Sequence, residues 1–309
     1  MPGVVVAIPT FRRPKGLERL LGALAGLDTR AQVCVLVADN DAERREGAAV
    51  VAALKAQPWR WPLEAILVPE RGIAQARNAL VARALAHGQA NYVAMLDDDE
   101  WPGPGWLEAF LDVARTTGAD ALHGAVLPRF EVAPGRWAEP CPGLSPLRGI
   151  TGPVAMIHGT SNVLIRRAAL ERLAAPFFDP RFALSGGEDK DFFTRLAKAG
   201  TRFAWADEAV VHAHVPVTRS NPAWALRRAF RIGNSDMRVF IKHERGFAAR
   251  AREAAKIAGA MCLSPALAVL LAPLPARRMM PLCKFARASG KLAAAFGARY
   301  DEYAVTHGQ

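Results

Sequence analysis

Up to about residue 126, five short apolar runs rich in β-branched residues alternate with segments of helical period, and no other feature restricts the fold of this chain as much. The runs are GVVVAI (3–8), QVCVLVA (32–38), LEAILV (63–68), YVAML (92–96) and DALHGAV (120–126). Helices are expected between them, at about 15–27, 42–57, 73–88 and 104–117. Strands that alternate with helices close into a parallel sheet covered on both faces, so the chain reads as α/β. Polar residues gather where the strands end: Pro9 and Thr10, Asp39 to Asp41, Glu70 and Arg71, and Asp97 to Glu100. Open α/β sheets bind their ligands at that edge.

Beyond the fifth run, residues 128–152 are rich in Pro and Gly and read as a mobile active-site loop. Strand-like pieces at 153–165 and 202–213 bracket a helix that begins near Glu188. After Thr218 the composition becomes that of Arg- and Ala-rich helix, with breaks expected at Gly233, Pro265, Pro273 and Pro275. The 309 residues therefore divide into an α/β domain, 1–218, and a helical appendage, 219–309.

Charge follows the same division. The net charge of +11 lies entirely after Thr218, where 16 basic residues face 5 acidic ones; the first 218 residues carry 24 of each sign. The basic segment contains the apolar run Ile257 to Leu274, flanked by Lys256 and by Arg277 and Arg278. Phosphate contacts would explain the charge but not the apolar run, so an anionic membrane surface is expected as a partner and nucleic acid is not. Pro265, near the middle of the run, argues for a helix lying on the membrane over one that spans it, with an ordinary buried core helix as the other alternative. The cysteines (Cys34, Cys141, Cys262, Cys283) show no ligand or redox spacing, and MPGVVVAIPT lacks the regions of a secretion signal. Both observations point to a reduced, cytoplasmic setting.

Three motifs carry chemistry. Asp97-Asp98-Asp99-Glu100 follows the strand YVAML directly, and four consecutive acids suit a hard divalent cation, the alternative being a solvated acidic turn. Gly186-Gly187-Glu188-Asp189 leads into a helix, where its acids either cap the positive helix end or supply a general base. In Arg71-Gly72-Ile73-Ala74-Gln75-Ala76-Arg77-Asn78, a glycine and two arginines at a helix start suit phosphate oxygens, or form an ordinary amphipathic turn. Asp39 could accept from a base or ribose or make an Asx turn, and His212 and His214 alternate on a strand as metal ligands or as buried histidines.

In this order and spacing the residues resemble the family 2 glycosyltransferases, which have the GT-A fold, over about residues 3–215. The resemblance rests on AIPTFRRPKGLERLL, VLVADND, RGIAQARNAL, YVAMLDDDEWP, GTSNVLIRRAAL and SGGEDKDFFTRL. It implies a Rossmann-like, mostly parallel sheet with flanking helices, a nucleotide-sugar donor, usually a UDP-sugar, and a polysaccharide or lipid-linked glycan acceptor. Transfer would invert the anomeric carbon. The match puts Pro9, Thr10 and Arg12 beside the nucleotide, Asp39 on uracil and Arg71 near the base or diphosphate. Asp97 and Asp99 take the two acidic positions of the DxD motif, for Mn2+ or Mg2+, with Asp98 between them also an acid. Glu188-Asp189 matches the ED motif, in which the aspartate is the base, and His212 or His214 falls near where some members place a further metal ligand.

The expected activity is thus a metal-dependent, inverting sugar transfer at the inner face of the plasma membrane. Two other readings use the same features: a sugar nucleotidyltransferase, and a non-catalytic nucleotide-sugar-binding membrane protein. The first wants a richer glycine and basic signature after the first strand than IPTFRRPKG offers, and the second has no need of a base.

Overall fold

The computed structural model describes residues 3–88 and 90–300; residues 301–309 of the basic C-terminal segment lie outside the described residues. One sheet organises the first two thirds. Strands β1 (Gly3–Thr10), β2 (Gln32–Asp39), β3 (Leu63–Leu67) and β4 (Ala90–Met95) are parallel in the order 3-2-1-4, joined by α1 (Pro14–Ala25), α2 (Glu46–Lys55) and α3 (Ile73–Ala86). There follow β5 (Glu100–Pro102), α4 (Trp106–Thr117), β6 (Ala121–Phe130), β7 (Gly152–Val154), β8 (Val163–Arg166), α5 (Arg167–Leu170), α6 (Glu188–Lys198) and β9 (Phe203–Val215). In this second half the pairing is mixed: β8 runs antiparallel between β4 and β6, and β9 is parallel to β6 but antiparallel to β5 and β7.

Alternation along β1 explains its uninterrupted apolar run. Val4, Val6 and Ile8 pack on one face with Leu17, Leu20 and Leu24 of α1 and Trp106 of α4. Val5 and Ala7 pack on the other with Leu80 of α3 and Phe192 of α6. A strand covered on both faces needs apolar residues at every position.

Two local features depart from expectation. Helix α2 begins at Glu46 instead of near 42, because the Asp41 carboxylate accepts from the main chain of Glu43 and Arg44 and from Arg12 Nε, which holds 42–45 as a turn. Strand β5 has only three residues and is formed by the acidic run's own last member pairing with β9, more than 100 residues away.

The C-terminal helices are α7 (Pro222–His243), α8 (Phe247–Leu270) and α9 (Pro275–Ala295). Of the expected breaks, only the one around Pro273 and Pro275 occurs; α7 runs through Gly233 and α8 through Pro265. Gly233 serves packing, since a Cβ there would lie 1.9 Å from the Arg287 carbonyl oxygen of α9. Gly290 is its counterpart, 2.0 Å from the Phe230 carbonyl oxygen. The two glycines let the backbones of α7 and α9 touch. Continuous through Pro265, α8 is about 36 Å long at 1.5 Å per residue, and by length and composition alone it could cross a membrane. Residues of the Pro/Gly-rich excursion join this region, with Ala138, Cys141 and Leu144 buried against Ala225, Ala229, Met279 and Cys283.

Candidate active site

The C-terminal ends of β1, β2 and β4 and the start of α6 meet in one cleft. Thr10 Oγ1, at the end of β1, donates to Asp98 Oδ2 at 2.8 Å, and Arg13, just beyond, donates from Nη1 to Asp98 Oδ1 at 2.9 Å and Asp99 Oδ2 at 3.0 Å. Arg219 reaches the same Asp99 oxygen at 3.3 Å. Burial opposes the charge on Arg13, but Asp98 and Asp99 outweigh it and its pKa is raised. Burial pushes Asp98 up to about 6 in spite of Arg13, and Asp97 is raised for the same reason. Glu100 faces inward and is raised well above the ordinary range by burial and by Asp97; it accepts from the Asp97 main chain and from Ser161 Oγ. The four acids thus divide into two that build the turn, Asp98 and Glu100, and two that face the cleft, Asp97 and Asp99.

Arg77 joins this run to the second acidic motif. From α3 it donates to Asp97 Oδ1 at 3.0 Å and to Glu188 Oε1 at 2.5 Å. Glu188 is buried, its Oε2 has no hydrogen-bond partner among the described residues, and burial together with Asp189 pushes its pKa up to about 7. Gly186 and Gly187, at φ +74° and +98°, make the turn that delivers these acids to the first turn of α6. Asp191 plays another part: fully buried, it accepts from Arg195, His243 and Lys242 and ties α6 to α7.

The opposite wall comes from the loop before β8. Asn162 donates to the carbonyls of Ala125 and Ala209 and accepts from Trp106 Nε1, which fixes the loop between β6 and β9. At Gly159 a Cβ would lie 3.8 Å from His123 Nε2 and 3.9 Å from Asp189 Oδ2, so this glycine keeps open the space in front of both side chains. His123 stacks on Trp205 and donates from Nδ1 to the Gly124 carbonyl; burial lowers its pKa to about 4, leaving Nε2 an acceptor at neutral pH.

The residues expected at the site are placed as follows. Pro9, Thr10, Asp39, Asp97, Asp98, Asp99, Glu188 and Asp189 line or floor the strand-end edge. Arg12 and Arg71 both lie 4.9 Å from the centroid of the Phe11 ring, and Arg12 pairs with Asp41 at 2.6 Å. Asp39 is 1% exposed, and its oxygens accept from the main chain of Asp41 and Ala48 at the end of β2. His212 lies opposite Trp101 in the β5–β9 pairing, next to the acidic run, where it accepts from Arg129 at 3.1 Å and leans on the Trp101 ring. Among the described residues no three His, Cys, Asp or Glu side chains form a metal cluster. Arg13, Arg219, Ser161 and His123 were not singled out from the sequence. Arg13 and Ser161 lie inside the quoted FRRPKG and GTSN motifs, whereas nothing local marks His123 or Arg219.

Known proteins share this fold and family. The fold is that of GT-A glycosyltransferases: the mannosyltransferase PcManGT from Pyrobaculum calidifontis, solved with GDP-Man and Mn2+, aligns with a TM-score of 0.61 at 20% identity over 94% of this chain and 87% of that one. S. aureus TarS 1–349, solved with UDP-GlcNAc, aligns with a TM-score of 0.52 at 14% identity over 96% and 92%. The model of glycosyl transferase family 2 matches residues 5–174, that of glycosyl transferase family group 2 matches 92–296, and the chain belongs to family 2. The succinoglycan biosynthesis protein ExoM of Rhizobium meliloti (strain 1021) is 35% identical over 280 residues, 88% of this chain and 86% of ExoM. The chain is accordingly a glycosyltransferase, and the nucleotidyltransferase and binding-protein readings fall away.

Proposed function

We propose that this enzyme transfers a sugar, with inversion, from a UDP-sugar to a growing polysaccharide or lipid-linked glycan at the cytoplasmic face of the membrane. One observation carries the reading: Arg77 ties Asp97 to Glu188, so the DDDE run and the GGED turn serve a single cleft. In that cleft Asp189, beside the space kept by Gly159, would accept the proton of the acceptor hydroxyl as its oxygen attacks the anomeric carbon. His123 Nε2 would accept from a second acceptor hydroxyl and so orient the sugar. Glu188, held by Arg77, positions the turn and is not the base.

The carboxylates of Asp97 and Asp99 are hard oxygen donors and suit Mn2+ or Mg2+. When bound, the cation would offset charge on the leaving diphosphate as a Lewis acid. Arg13 and Arg219 hold Asp99 in place, and Pro9, Thr10, Arg12, Asp39 and Arg71 remain the proposed surroundings of the nucleotide. The UDP-GlcNAc of TarS and the GDP-Man and Mn2+ of PcManGT support a nucleotide-sugar donor and a metal; ExoM, a succinoglycan biosynthesis protein, supports a polysaccharide product.

A panel of nucleotide sugars, screened by thermal shift with and without Mn2+, tests the donor and metal together. Stabilisation by a UDP-sugar only when Mn2+ is present is the expected outcome. Stabilisation by no nucleotide sugar would overturn the donor assignment.

A further inference from the structure

A cavity of about 800 Å3 opens between the loop at Arg181 and Phe182, the end of α7 and the start of α8, and its walls carry Arg238, Lys242, Arg245 and Arg250 as well as Arg181. The ring of Phe182 is its platform: the Arg238 guanidinium lies 4.8 Å and the Lys242 ammonium 5.5 Å from the ring centroid. Arg238 also donates to Ser185 Oγ and the Arg181 carbonyl, and Lys242 pairs with Asp179 and Asp191. These two carboxylates are shared with other cations, Asp179 with Arg181 and Asp191 with Arg195 and His243. Arg250 reaches only a carbonyl, that of Glu244, at 3.3 Å, and Arg245 makes no ion pair or hydrogen bond among the described residues. Five cations therefore converge on one volume, and two of them, Arg245 and Arg250, have no carboxylate partner among the described residues.

We propose that this cavity is a binding site for a phosphate or diphosphate group. A carboxylate brings one charge and two oxygens in a plane; a phosphate brings up to two charges and three oxygens in a tetrahedron, which guanidinium forks from several directions can share. The N-terminal end of α8 opens beside Arg245 and adds its own donors and partial positive charge. Two sources could carry such a group, a lipid headgroup or a soluble phosphate ester. The rim favours the headgroup, since Phe247 is 87% exposed and Ile241 43% exposed beside the cations, the pairing of apolar tip and basic collar that suits a membrane interface. The site also reaches the catalytic turn: Arg238 and Ser235 both bond to Ser185, directly before Gly186. A phosphate held by Arg238 would brace the loop that carries Asp189.

The double variant Arg245→Ala, Arg250→Ala removes two exposed side chains and leaves the core intact. Its affinity for inorganic pyrophosphate, measured by calorimetry on the full chain without the divalent metal that the acidic nucleotide cleft needs to hold a diphosphate, should fall at least about tenfold. In parallel, flotation with phosphatidylcholine vesicles containing phosphatidic acid is compared between the two proteins. Loss of both pyrophosphate binding and flotation assigns the site to a lipid headgroup; loss of pyrophosphate binding with flotation unchanged assigns it to a soluble phosphate. Pyrophosphate binding equal in the two proteins would overturn the proposal.

Discussion

Arg77 neutralises two carboxylates from the two acidic motifs of the cleft. Its side chain is 8% exposed and it meets Asp97 and Glu188 together, so removing it leaves two carboxylates facing each other beside Asp189. Breaking a buried pair of this kind costs on the order of 3–5 kcal/mol. Arg77→Ala should therefore lower the melting temperature and abolish turnover, whereas Arg83→Ala, which breaks an exposed pair with Glu64, should change neither appreciably. Glu188 gives a pH signature. Burial and Asp189 raise it from the ordinary 4.5 to about 7, so between these values the folded chain holds a proton that the unfolded chain has released. The contribution of this group to stability thus falls as pH rises through that window. Glu188→Gln should flatten the fall, and melting temperatures at about pH 5 and pH 7.5 for both proteins would show it; parallel slopes would refute the assignment. For Asp189 the expectation is kinetic. Asp189→Asn should keep UDP-sugar affinity and lose transfer by at least about a hundredfold, and a collapse of affinity instead would make Asp189 a binding residue.

At the level of elements, α6 is clamped from behind. Lys190 of α6 donates to Asp236 of α7 at 2.5 Å, and Asp236 also accepts from Arg287 of α9. Asp191 adds its contacts to Lys242 and His243 of α7. The helical appendage therefore supports α6, and the spacing of α7 and α9 sets where α6 rests. Gly290→Leu tests this coupling, because its first added carbon falls 2.0 Å from the Phe230 carbonyl oxygen and the helices must separate. Overpacking of this kind costs typically about 1–3 kcal/mol. A fall in melting temperature accompanied by reduced transfer is expected, and normal transfer in the destabilised protein would uncouple the appendage from the site. The sequence could not separate the two roles of such a glycine. A glycine within a helical pattern reads equally as a break or as a close contact, and only the partner helix decides.

Over the whole molecule, the basic and apolar appendage lies behind the catalytic half without burying α8. Leu263 is 65% exposed and Leu270 73% exposed, and only 11% of the most apolar stretch of that helix is covered. If this face rests on a membrane, Leu263→Glu with Leu270→Glu should reduce flotation with anionic vesicles while leaving transfer to a water-soluble acceptor intact; unchanged flotation would remove α8 from the contact. The strands of the parallel half and the helices between them were legible in the sequence within a few residues, since their signal is local: apolar period, β-branched runs and polar strand ends. The acidic run and the Gly-Gly-Glu-Asp turn were equally legible, because each is continuous in the chain. The mixed second half of the sheet, the three-residue β5 and the course of α8 through Pro265 were not, since each depends on pairing or packing with distant residues. The same holds within the cleft. The order of residues along the chain already puts acids, arginines and glycines at strand ends, but which acid builds the turn and which faces the cleft was settled by burial and by Arg13, Arg77 and Arg219, brought together from three separate stretches of chain. Electrostatic partners act through space at about 3 Å, and chain order carries no record of that distance.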